Sequence, residues 1–179
     1  MIYLFLIEFL LAFSSPQVEV HRQVENSSVV IVAEPKMAVW VVDSDSRNAE
    51  NKKPMGGDRT KYIVGRIFPV AIKELLKGPA TLKPGMVISI YVPGNSEHGI
   101  VLSRNYTYLL FLNGFSHSAD QRSLNVYDPR HPGEEHPLGK DETYSVLQGH
   151  DQFGAIILDN KTGNLLDDVK QELKRSQAK

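Results

Sequence analysis

The chain has 179 residues, 41% apolar and 23% charged, enough for one core of ordinary size, so a single globular domain is the first expectation. Its 20 Lys and Arg against 21 Asp and Glu leave a formal charge of −1, a balance that gives no general field for holding a polyanion and disfavours nonspecific nucleic-acid binding. Without cysteine there are no disulfides, thiolate nucleophiles, Cys-ligated zinc or iron–sulfur clusters, so any chemistry must use His, carboxylates, hydroxyls or backbone.

Residues 2–13 form an apolar stretch broken only by Glu8. It is too short for a bilayer core, which needs about 20 apolar residues, so no stable membrane span is expected. It suits the hydrophobic region of a secretory signal, with Ala12 and Ser14 as small residues ahead of a cut, and residues 1–14 read as a signal peptide. The alternatives are a buried first element or a mis-assigned start. An exported domain without cysteine must rely on its core alone.

Residues 15–27 read as a lead-in, where Val20 and Val24, four apart, fit a short helix or an extended segment. The β-branched runs at 28–33 and 37–42, separated by Glu34-Pro35-Lys36, read as strand, bulge, strand, with Pro35 at a kink or sheet edge. A polar stretch at 43–60 reads as an exposed loop. Residues 62–77 make a long strand with Tyr62, Val64, Phe68, Val70 and Ile72 at period two; Arg66 breaks that face, so its charge must exit, pair or meet a ligand, and exit is the simplest outcome. Lys83-Pro84-Gly85 supplies a turn before a strand at 86–92.

The strand at 106–112 is apolar on both faces over its second half, which predicts a central position covered on both sides. A second polar stretch covers 114–139. Short strands at 144–147 and 153–158 follow. Leu165, Val169 and Leu173 then place one apolar stripe on a final helix, with Asp167 or Asp168 as N-cap and Lys174-Arg175 complementing its C-terminal end. The sum is five or six strands and one C-terminal helix: an all-β (mainly β) chain forming a small antiparallel barrel or sandwich.

The order of these segments carries a resemblance. Residues 28–33 resemble a first "VVIVG" strand, 62–78 a long "Y-x-V … V-x-E-V-L-K-G" strand, and 85–94 a "G-x-x-I-x-V-x-x-PG" unit. Residues 106–112 resemble "G-x-x-Y-L-L-F-L", and 144–157 a closing "Y-x-V-x-G-x-x-G-x-F/I-x-V" unit. Together, over roughly residues 28–166, they resemble the cysteine-free bacterial OB-fold module similar to tissue inhibitors of metalloproteinases and netrin-like domains. The resemblance implies a five-stranded OB-like antiparallel barrel with a C-terminal α-helix over residues 28–179. Animal inhibitors of that family chelate the protease zinc through an N-terminal cysteine, a residue this chain lacks.

The densest polar cluster, His117, Asp120, Asp128, His131, Glu134, Glu135, His136 and His150, carries metal-ligand types. Its weak candidates are His117, His131 and His136. His131 and His136 stand five apart across Pro132-Gly133, so they do not form the helical pair of a His-Glu-x-x-His site, and a solvated loop is the simpler reading. Ser103, Ser116 and Ser118 are hydroxyl candidates, but no Gly-x-Ser-x-Gly elbow presents one. Gly56-Gly57 has no following Gly-Lys-Ser/Thr and reads as a turn. Tyr62, Arg66, Phe68, Tyr91, Arg104, Tyr106 and Tyr108 could interleave as a nucleic-acid face, yet the neutral charge opposes that, and Tyr62, Phe68, Tyr108 and Trp40 read more simply as core. Asn26, Asn105 and Asn160 open N-glycosylation tripeptides that count only in a eukaryotic secretory pathway.

These readings converge on an exported, non-catalytic binding module with no cofactor. Its contact region would be residues 43–60 and 116–140, and its partner an extracytoplasmic protein, a protease being the runner-up; nucleic acid is not expected. The alternatives are a metalloprotease inhibitor and a metal-dependent hydrolase using the histidine-rich loop.

Overall fold

A computed structural model describes residues 16–44, 46, 62–94, 101–114, 124–128, 130, 131, 134–138, 143–146, 154–159, 162 and 164–178. The expected signal peptide therefore lies outside the described residues. The chain runs α1 (Pro16–Asn26), β1 (Val29–Pro35), β2 (Val39–Asp43), β3 (Ile63–Lys77), β4 (Val87–Pro93), β5 (Tyr108–Gly114), β6 (Leu124–Tyr127), β7 (Glu135–Pro137), β8 (Thr143–Val146), β9 (Ala155–Ile157) and α2 (Leu165–Gln177).

The chain is mainly β, as expected, but the five-stranded antiparallel barrel is corrected: the strands form a larger, mostly antiparallel sheet that is not a closed barrel. Among the described residues the sheet has nine strands, in the order β1-β5-β8-β4-β3-β2-β6-β7 with β9 on β5, and that order ends on β7. β4 and β8 run parallel, Ser89 opposite Thr143 and Tyr91 opposite Ser145. Two causes raise the count. First, long strand lines are interrupted: β1 and β2 pair successive stretches of the 15-residue β3, with the break after Pro35, and β8 and β9 pair successive stretches of β5. Pro35 cannot donate to a ladder, so the line bends there. Second, the hairpin β6–β7 lies inside the stretch that reads as polar loop. A further pairing, β1 with β3, joins the start of the strand order to its middle.

Alternation along the strands builds two cores. On one side Phe68, Val70, Ile72, Ile88, Ile90, Tyr108, Leu110 and Leu112 pack together, with Leu82 and Leu102 entering from the connections on either side of β4. On the other side Val30, Val32, Leu109 and Phe111 are covered by Val20 and Val24 of α1 and by Val169 and Leu173 of α2. β5 thus contributes to both, as its doubly apolar run predicts; Leu109 to Leu112 are at most 1% exposed. A smaller cluster of Val41, Ile67 and Leu138 sits under β6 and β7.

α1 settles the ambiguous lead-in as helix. The Lys77 ammonium donates to the Val24 carbonyl at 2.7 Å, satisfying an acceptor at the C-terminal end of α1. His21 bonds Glu172 at 2.8 Å and tethers α1 to α2. α2 keeps its predicted stripe, but its N-cap is Asn164, so Asp167 and Asp168 occupy the first turn, where they favour the helix dipole without capping. The turn before β4 has Gly85 at φ +88, the left-handed position that follows Pro84 in a type II turn, with Met86 donating to the Lys83 carbonyl at 3.2 Å. No helix among the described residues is long and apolar enough to cross a membrane.

Candidate functional site

Both stretches expected to form the contact region have an anchor where β2, β3 and β6 pair. Asp43, the last residue of β2, is opposite Leu124, the first of β6, and Val42 is opposite Ile63 at the start of β3. Leu138, just past β7, donates to the Leu124 carbonyl at 2.9 Å. The flanking residues Ser44, Tyr62, Leu124 and Leu138 therefore meet at one place. The sequence missed the hairpin because Leu124-Asn125-Val126-Tyr127 is only four residues of alternation.

Buried polar groups fix that end. Asp43 and Ser44 are 3% and 4% exposed. The Asp43 carboxylate accepts from the Ser46 amide at 3.0 Å and the Ser46 hydroxyl at 2.8 Å, an arrangement that turns the chain as it leaves β2. The Ser44 hydroxyl donates to Glu135 Oε1 at 3.0 Å, and the Asn125 side-chain amide donates to the same oxygen at 2.9 Å. A serine donating to a carboxylate is not by itself a nucleophile–base pair, which also needs a base poised near the working pH. The cluster joins β2 to the hairpin.

The hairpin tip is organised by Asp128. Its carboxylate accepts from the Arg130 amide at 3.0 Å and from the Arg130 guanidinium at 2.8 and 2.5 Å. The hydrogen bond from the Arg130 side chain holds the Asp128 pKa down to about 2. His131 is exposed on this turn and His136 is exposed on β7, whereas His117, Asp120 and His150 lie outside the described residues. Among the described residues no three His, Asp or Glu side chains gather as a metal site.

The other candidates disperse. Tyr62, Phe68 and Tyr108 are buried, as the core reading has them, and the Tyr108 hydroxyl accepts from the Ser103 amide at 3.0 Å. Ser116, Ser118, Gly56 and Gly57 lie outside the described residues. Tyr91 is half-buried, its hydroxyl donating to the Val64 carbonyl at 3.2 Å, and burial raises its pKa. Tyr106 is half exposed beside Asn105, which lies in an exposed turn, and Asn26 ends α1 in an exposed position; Asn160 is outside the described residues. Arg66 is exposed, so its charge exits. Trp40 is half-buried, short of the full burial its apolar run implies, although Val41 and Val42 beside it on β2 are fully buried.

No family model, curated protein or solved structure matches this chain.

Proposed function

We propose that the chain is an exported, non-catalytic protein-binding module of OB-like architecture, with residues 1–14 as its leader. The observation that carries the reading is the pairing sequence β1–β3, β3–β4, β4–β8, β8–β5 and β5–β1. It includes a parallel pair of only three residues, a weak seam of the kind expected in a partly open five-stranded barrel. On this reading β1 with β2, and β8 with β9, are each one broken line, and β6–β7 is a hairpin inserted into the connection between the fourth and fifth lines. The connections at 44–62 and 115–142 are then the two loops through which OB-like barrels bind their ligands, and they share an anchor at Asp43 and Leu124.

The protease-inhibitor reading asks for an extended N-terminus whose amine reaches a metal. Residues 16–26 are instead wound into a helix that buries Val20 and Val24, which weighs against that reading.

The test immobilises the chain lacking residues 1–14 and exposes it to extracellular or envelope extract, beside a variant whose residues 47–60 are replaced by a Gly-Ser linker of equal length. A partner retained by the parent and lost by the variant, at unchanged melting temperature, supports the reading. Equal retention by both, no specific retention, or stoichiometric zinc in untagged protein that His131→Ala abolishes would overturn it.

A further inference from the structure

Four strands bring Arg66, Trp40, Tyr127 and Glu135 into one cross-strand row: Arg66 opposite Trp40, Trp40 opposite Tyr127, and Tyr127 opposite Glu135. Directly opposed residues share a sheet face, and successive strands stand about 4.8 Å apart, so the four residues stand side by side across the sheet. The three cations of β3 are treated differently by the fold. Lys73 pairs with Glu34 at 2.9 Å and Lys77 bonds the Val24 carbonyl, whereas Arg66 is exposed and no carboxylate among the described residues pairs with it. An exposed guanidinium with no partner among the described residues, one strand from a half-buried tryptophan, adds little to stability. It is well suited to recognition: Arg takes a carboxylate through two parallel hydrogen bonds, and Arg, Trp and Tyr are the residues on which protein interfaces concentrate their energy.

Resting on the binding-module reading above, we propose that Arg66, Trp40 and Tyr127 form a docking row for an extended acidic peptide segment of a partner protein. A carboxylate pairs with Arg66, and an adjoining apolar side chain packs beside Trp40. One cation on a chain with a formal charge of −1 suits an isolated carboxylate, not a polyphosphate.

Trp40 is the single tryptophan of the chain, so its emission reports on this row alone. The experiment titrates the protein with a blocked hexapeptide alternating Glu and Leu, with the same peptide carrying Gln or Lys for Glu, and with a galacturonic acid trisaccharide. The expected result is a saturable emission change with the Glu peptide, weakened about tenfold or more by the Gln replacement and by Arg66→Gln, and weakened by salt. Arg66→Gln should keep the parental melting temperature, since the side chain is exposed. No response to the Glu peptide at millimolar concentration, an equal response in Arg66→Gln, or preference for the Lys peptide or the trisaccharide would overturn the row. If Arg66→Gln still retains the partner captured by the parent chain, the row fails and the module reading stands; if the parent captures nothing, the module reading itself fails.

Discussion

The Tyr91 ring lies over Gly65: a Cβ at Gly65 would meet Tyr91 Cε2 at 2.6 Å and the Val92 carbonyl oxygen at 2.7 Å. The contact is between β3 and β4, and the Tyr91 hydroxyl extends past it to the Val64 carbonyl. The backbone oxygen cannot swing aside, so Gly65→Ala must displace the strand. We expect a loss of about 1–3 kcal/mol, measured by denaturant unfolding. Tyr91→Ala in the same background should recover only part of it, because the carbonyl clash persists; full recovery would mean the ring alone sets the constraint.

α1 is part of the folded unit. Val24 is 1% exposed and packs with Phe111, also 1% exposed, and with Leu173 of α2. Val24→Ala should therefore cost about 1–2 kcal/mol, and Phe111→Ala about 3–5 kcal/mol. Both losses should appear in one cooperative transition followed by far-UV circular dichroism. A Val24→Ala chain with parental stability would show that α1 is detached in solution.

Lys77→Met keeps the aliphatic stem and removes the ammonium that bonds the Val24 carbonyl at 2.7 Å. The loss should be modest, about 1 kcal/mol, and local. Amide hydrogen exchange is the sensitive measurement, with faster exchange expected across α1 and no change in β5.

What was legible in the sequence followed from local pattern. The double apolar run of β5 marks a strand covered on both faces, Lys83-Pro84-Gly85 specifies its turn through the one residue that accepts φ +88, and Leu165, Val169 and Leu173 fix the face of α2. What local pattern left open or missed depends on partners distant in sequence. α1 has only Val20 and Val24 to announce it, and beyond the nearby Val30 and Val32 their cover comes 80 or more residues later, in Leu109, Phe111, Val169 and Leu173. β6 and β7 are strands because β2 offers them an edge, not because four and three residues with Asn125 and Pro137 among them favour extension. The same limit applies to the candidate site. Histidine spacing drew attention to the loop, whereas the juxtaposition of Arg66, Trp40 and Tyr127 comes from pairing among β3, β2 and β6, which periodicity within one segment does not encode.

The tether between the helices carries a pH dependence whose sign follows from Glu172. His21 lies between Glu172, at 2.8 Å from Nδ1, and Glu25, at 3.2 Å from Nε2, and Arg175 approaches Glu172 at 3.6 Å. The hydrogen bond from His21 holds the Glu172 pKa below its ordinary value, with Arg175 adding to the effect. A carboxyl whose pKa falls on folding stabilises the fold at pH above its unfolded value, and that stabilisation disappears as pH falls through the folded value. Melting temperatures of the parent and of Glu172→Gln, followed from about pH 7 to about pH 3, should therefore differ most near neutrality and converge in acid. His21→Ala should narrow the neutral gap by removing the donor. A gap that stays constant, or widens toward acid, would show that the carboxylate charge contributes nothing to holding α1 on α2.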